Sequence, residues 1–256
     1  MGLFDKKHCD VCGEKIKLLG NRKLDDGNLC KNCAKDLSPF FSERRRSTVA
    51  DIKAQLQDRE ANKAEVAAFN VTRTLGTGTK VLLDEDNGKF IVTSSRNWQA
   101  DNPDVLTFSQ VTGCRVDVNE GKTELKQKDS EGKEVSYNPP RYEYDYDFYV
   151  VIDVNAPWFN EIRFRLNSSS ITIEPPRARL GSQATQDFRQ SSLEYRECEA
   201  LGEEIRDALT QVREQARESV VAANTPKQAM VCPQCHANTI PDANGRCDYC
   251  GGAMLV

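Results

Sequence analysis

The 256-residue chain carries 35 basic and 39 acidic residues, a net charge of −4, and has a mean hydropathy of −0.63. That composition predicts a soluble protein able to bury one sizeable core, and the acid excess argues against a polyanion as the main partner, because nucleic-acid affinity rests on Lys and Arg at phosphates. No run approaches the roughly 18 apolar residues that a membrane span requires, and MGLFDKKHCDVC lacks the apolar stretch of a secretory signal, so no transmembrane segment and a cytoplasmic location are expected.

The first element is a cysteine module over residues 1–46. Eight of the ten cysteines fall in four Cys-x-x-Cys pairs: Cys9 with Cys12, Cys30 with Cys33, Cys232 with Cys235, and Cys247 with Cys250. Two intervening residues let both thiolates of one tight turn face one ion at about 2.3 Å, and two such turns close a shell of four sulfurs. The expectation is two structural Zn2+ ions per chain, one at each end. The alternative, disulfides or redox dithiols, calls for an oxidising compartment or a redox helix start, and neither has a signal here. Gly13 and Gly251 follow Cys12 and Cys250, where positive φ would turn backbone N–H groups toward sulfur. Cys33 is followed by AKDLS, a plausible helix start, which suggests a treble clef. Cys250 is followed only by GGAMLV, which suggests a bare zinc ribbon over 228–256. His8 and His236 each abut a cysteine of a pair, but four sulfurs already complete each set.

Residues 1–46 hold eleven basic residues against seven acidic, a net of +4. This is either a solvated face or a phosphate-facing patch that includes Arg44, Arg45 and Arg46. Residues 47–70 form a helical connector: Thr48 with Asp51 can cap its start, and Val49, Ile52 and Leu56 make a thin stripe suited to lie on a neighbouring domain.

An antiparallel β-domain is expected over 71–186. VLLDEDNGKFIVT (81–93) reads as a hairpin around Asn-Gly, and CRVDVNEGKTEL (114–125) reads as a second one around Asn119, Glu120 and Gly121. In RYEYDYDFYVVIDV (141–154), alternation puts Tyr142 to Val154 on a core face and carboxylates on a wet one. Pairing Ile152 with Ile162 and Val150 with Phe164 would bring Arg163 and Arg165 within diagonal reach of those carboxylates. KQKDSEGKEVSYNPP (126–140) reads as an exposed loop, and EPPRARLGSQ (174–183) as a second break. A long amphipathic helix over 187–224 follows, with Leu193, Leu201, Ile205, Leu209, Val212 and Val220 as its stripe, either docked on a core or paired in a coiled coil. Asn224 to Lys227 read as a linker.

The fold class is α+β. About seven antiparallel strands closed by a helix is the element order of a pleckstrin-homology-like domain, an analogy that carries no function. MGLFDKKHCDVCGEKI with GNRKLDDGNLCKNCAKDLSPFFSERR resembles a family of uncharacterised bacterial proteins that carry an N-terminal treble-clef-like zinc domain of unknown function. Its members often join that domain to a β-rich domain and sometimes to a zinc ribbon. The resemblance implies metal ligands at Cys9, Cys12, Cys30 and Cys33 and a bacterial, intracellular setting, with no activity to carry over.

No enzyme is expected. GTGTK at 76–80 lacks P-loop spacing, both histidines sit beside metal cysteines, and Cys114 and Cys198 are most simply buried thiols. The expected role is a non-enzymatic interaction or adaptor protein with a protein partner. Nucleic-acid binding through the basic module and membrane-surface binding through the β-domain are less favoured alternatives.

Overall fold

The computed structural model describes residues 7–176, 187–224, 229–242 and 245–254; in the last long helix, side chains are described through 211 and at 214. The chain divides into two compact units, Met1–Glu214 and Gln215–Val256. Residues 177–183 of the expected break at 174–183, the linker residues 225–227 and the side chains of Val212 and Val220 lie outside the described residues.

The first unit opens with a cysteine knuckle, a hairpin of β1 (Arg22–Lys23) and β2 (Asn28–Leu29), and α1 (Lys31–Lys35). The helix starts before Cys33 rather than after it, because Cys30 is its N-cap and its side chain accepts the Cys33 N–H. Leu24, Leu29, Leu37 and Ile52 form a small buried cluster around the cysteines.

Ile52 belongs to α2 (Val49–Ala68), whose start carries a reciprocal Thr48–Asp51 capping box and whose Val49 N–H donates to Asp26 at 2.7 Å. One side of α2 thus completes the cysteine module, and its later turns engage segment 102–105 through polar groups. The Arg59 guanidinium meets Asp104 at 2.8 Å, with only 9% and 12% of those side chains exposed, and also donates to the Asn102 carbonyl. The Ser38 hydroxyl donates to the same carboxylate at 2.7 Å, and Asn62 donates to Asn102 and Pro103. Burial pushes the Asp104 carboxyl up, against the pull of Arg59 and Ser38. The thin apolar stripe therefore ends in a buried ionic clasp that hydrophobic periodicity does not reveal.

Segment 102–105 borders the first sheet, an antiparallel meander of β3 (Arg73–Leu75), β4 (Lys80–Asp84), β5 (Lys89–Thr93) and β6 (Val105–Thr107), with α3 (Trp98–Asp101) before β6. The expected hairpin at Asn87-Gly88 is present, with Asp84 opposite Lys89. Burial alone would raise the Asp84 carboxyl, but the Asn70 N–H and the Asn87 side chain and N–H hold it below the ordinary range. GTGTK is the turn between β3 and β4, with Gly76 at φ 89° and a Cβ site only 2.5 Å from the Thr79 carbonyl oxygen.

The second sheet centres on β8 (Glu134–Val154), flanked on one edge by β7 (Val111–Lys128) and on the other by β9 (Glu161–Arg165) and β10 (Ile171–Ile173). Two expectations are corrected here. Residues 114–125 are not a hairpin: β7 runs straight through Gly121, which pairs with Asp145. A glycine in a strand tolerates a turn without requiring one, and the long apolar face of β8 is matched only by an equally long partner. Nor is 126–140 a loop, because its two ends continue β7 and β8 around a turn at Asp129–Lys133, with Gly132 at φ 80°. Pro139 and Pro140 fall in the residues that β8 leaves unpaired between Ser136 and Arg141, where a missing N–H costs nothing.

The register of β8 with β9 agrees with the sequence reading, Ile152 opposite Ile162 and Val150 opposite Phe164. On the wet face Arg163 meets Asp117 at 2.7 Å, Arg115 meets Asp153 at 2.8 Å, and Arg165 meets Asp147. On the core face lie the opening turns of α4 (Leu193–Asn224), whose Tyr195 ring stands edge-on to Tyr146 and Phe148 at centroid distances of 5.1 and 4.9 Å. A Cβ at Gly202 would lie 3.0 Å from Val116, so the missing side chain is what lets α4 approach β7. Ile205 and Leu209 are buried as expected, whereas Leu193 is 60% exposed and Tyr195 takes the place assigned to it.

In the second unit, β11 (Met230–Val231) pairs with β12 (Asn238–Thr239) around one knuckle, and a bridge between Arg246 and Ala253 brackets the other. Its buried cluster is Cys232, Cys247 and Met254, with Met230 against them.

Candidate metal centres

Three of the four cysteine pairs share one backbone device. In each, the N–H of the first cysteine reaches the carbonyl five residues on: Cys9 to Glu14, Cys232 to Ala237 and Cys247 to Gly252, all at 2.9 Å. The residue four positions after that cysteine donates back to its carbonyl, from Gly13 at 2.8 Å, His236 at 2.9 Å and Gly251 at 2.8 Å. Closing so tight a loop takes a left-handed residue, and these three have φ of 76°, 58° and 71°. Ligand spacing alone does not reveal the role of His236, which holds the glycine's place in its knuckle. Histidine is among the side chains that enter this region more readily than most, and that preference is the signal for it in the sequence.

The fourth pair is built differently, with Cys30 as the N-cap of α1 and Cys33 in its first turn. The Cys30 N–H donates to Cys9 Sγ at 3.3 Å, and the Cys33 N–H to Cys30 Sγ at 3.4 Å.

These devices bring Cys9, Cys12, Cys30 and Cys33 into one group and Cys232, Cys235, Cys247 and Cys250 into another, each with all four sulfurs within 4.8 Å of one another. Across the pairs, sulfurs lie 3.9 Å apart for Cys9–Cys33, 3.8 Å for Cys12–Cys30, and 3.6 Å for both Cys232–Cys250 and Cys235–Cys247. A tetrahedron with arms of about 2.3 Å has edges of about 3.8 Å, so both groups fit a single ion of the kind thiolate sets typically hold, zinc. His8 and His236 belong to neither group.

The electrostatics of each group favour a divalent cation. Burial would raise the Cys9 thiol, but the N–H groups of Cys12, Cys30 and Val11 bring it down to about 7. The Cys235 N–H leads in lowering Cys232 to about 6. Burial and neighbouring sulfurs raise Cys33. Cys235 is pushed up to about 12: the Ala237 N–H would lower it, but Cys250 and the other sulfurs, with burial, prevail. One sulfur in each set gives up its proton readily and another holds on, so filling either site releases protons.

Outside the groups, Cys114 is half-buried and pushed up to about 11 by burial, and burial also raises Cys198 beside the Tyr146 cluster. Both are packing thiols. Among the described residues no helix is long and apolar enough to cross a membrane.

A family model for a domain of unknown function, DUF4428, matches residues 7–55, which span the first four cysteines and the opening turns of α2. No curated protein and no solved structure matches the chain.

Proposed function

We propose that this chain is a non-enzymatic, zinc-stabilised interaction protein of the bacterial cytoplasm that presents its surfaces to a protein partner. The observation that carries the reading is the closure of both sites. Four sulfurs saturate a tetrahedral ion, so neither site has an open position for substrate or water, and the ions act as structural centres for folds too small for cores of their own. In this reading the N-terminal site is a treble clef, supported by its order of knuckle, hairpin and helix. The C-terminal site is a zinc ribbon, supported by its paired knuckles. The meander, the three-strand set β7–β8–β9 and the closing helix α4 support a pleckstrin-homology-like domain.

Metal analysis and native mass spectrometry of the purified chain test the zinc assignment, with two ions per chain expected and fewer than one overturning it. Quantitative crosslinking in living cells tests the interaction role. Recovery of the chain without any crosslinked protein at native abundance would sink that role while leaving the zinc assignment standing.

A further inference from the structure

The N-terminal module carries a feature that costs the fold stability and contributes nothing to its core. Between the buried Ile16 and β1 the chain turns at Lys17-Leu18-Leu19-Gly20, closed by the Gly20 N–H on the Lys17 carbonyl at 2.9 Å. Leu18 and Leu19 are 92% and 89% exposed, the two most exposed large apolar side chains among the described residues. Leu19 stands at φ 62°, the third position of a turn that favours glycine or asparagine. A bulky side chain there is strained as well as wet, and strain held at the surface is a mark of function.

Beside this tip lies a cationic concavity. Asn21, Arg22, Lys23 and Asp25 from the hairpin and Arg44 and Arg45 from the connector line a space of about 520 Å³. None of these four cations is in an ion pair among the described residues, whereas the adjacent Arg46 is held by Glu43 at 3.1 Å. Among the described residues the Arg44 Nε is buried without a partner, and burial followed by repulsion from Arg22 and Arg45 lowers the affinity of Arg44 for its proton. Asp25 is the single carboxylate in the lining. The surrounding module has a net charge of +4 on a chain of −4.

We propose that this end of the module docks on an anionic phospholipid surface, with Leu18 and Leu19 entering the acyl boundary and Arg22, Lys23, Arg44 and Arg45 receiving lipid phosphates. A nucleic-acid backbone would satisfy the cations but offer nothing to two leucines facing water. A bilayer interface serves both, and polybasic and apolar contributions together give a firmer anchor than either alone. The inference goes beyond the interaction reading and stands without it.

Flotation of the zinc-loaded full chain with phosphatidylcholine vesicles, with and without phosphatidylglycerol, tests the proposal. Binding is expected only to the phosphatidylglycerol vesicles and weakens with salt. Leu18→Ser with Leu19→Ser lowers it at least about tenfold, and Arg44→Gln with Arg45→Gln lowers it about fivefold per charge removed. Leu19→Gly separates function from folding: it relieves the left-handed strain, so the thermal midpoint holds or rises while vesicle binding falls severalfold. The proposal is overturned if the native chain fails to float with anionic vesicles at low salt, if the leucine substitutions leave flotation unchanged, or if oligonucleotides bind and vesicles do not.

Discussion

The two ends of this protein gather the same set of four cysteines and differ in what surrounds it. At the N-terminus, Leu24, Leu29, Leu37 and Ile52 pack around the sulfurs, and α2 ties the module to the first sheet through Arg59 and Asp104. At the C-terminus the cluster among the described residues is Cys232, Cys247, Met254 and Met230, so half of it is the cysteines themselves. Cys235 and Cys250 are exposed, whereas Cys12 is the one exposed ligand of the other set. Equal cysteine sets therefore do not imply equal dependence on a bound metal, because a site inside an apolar cluster retains burial energy that the sparser C-terminal group lacks among the described residues.

The largest expected effect is on the C-terminal cysteine group. Structural zinc contributes on the order of 10 kcal/mol to domains of this kind. Cys247→Ser should therefore remove one zinc per chain and collapse the dispersed amide signals of residues 230–242 and 245–254 in a heteronuclear spectrum; retention of those signals would mean the C-terminal unit folds on packing alone. Chelator competition should then be biphasic, the C-terminal zinc leaving first, with Cys247→Ser deleting the fast phase and Cys30→Ser the slow one. A single phase would erase the distinction. Both sites should lose metal as pH falls, since their thiolates must take protons back on release.

Next in size is the clasp, a support of the N-terminal site that has no counterpart at the C-terminal group among the described residues. Asp104→Ala leaves the Arg59 guanidinium buried without its carboxylate and should cost about 3–5 kcal/mol in denaturant unfolding of the first unit. Adding Arg59→Met should recover most of that loss, and additive losses would show that the pair is not coupled. Gly202→Val would push methyl groups into Val116 where a bare Cβ already sits at 3.0 Å, an overpacking cost of about 1–3 kcal/mol.

The smallest effect concerns acid. The Asp84 carboxyl is held low by its hydrogen bonds, so its contribution is present above the usual carboxylate pKa of about 3.9 and is lost as pH falls through its lowered value. Asp84→Asn should flatten that acid limb of the stability curve of the first unit, and an unchanged limb would assign it elsewhere.

Much of this architecture is legible in the order of the residues. Thiolate spacing declares both ligand sets, because a knuckle is a local object closed within six residues. Alternation in 141–154 determines which face of β8 is buried and its register with β9, since a slip of one residue would put Asp147 and Asp153 into the core. Local signals fail where the deciding partner lies far along the chain. Gly121 reads as a turn because nothing nearby says that Asp145 needs a partner opposite it. Arg59 reads as one more surface charge because Asp104 and Ser38 are 45 and 21 residues away.

By itself, then, the sequence determined the two four-cysteine groups, the strand faces and the start of α2, all of them set by periodicity or by contacts within a turn. The tertiary structure decided which knuckle sits in an apolar cluster, how far β7 extends, why α4 needs Gly202, and that Leu19 is strained into water beside four cations with no ion pair among the described residues. Each of those depends on two distant segments meeting, and burial, charge pairing and steric approach take their values only once they do.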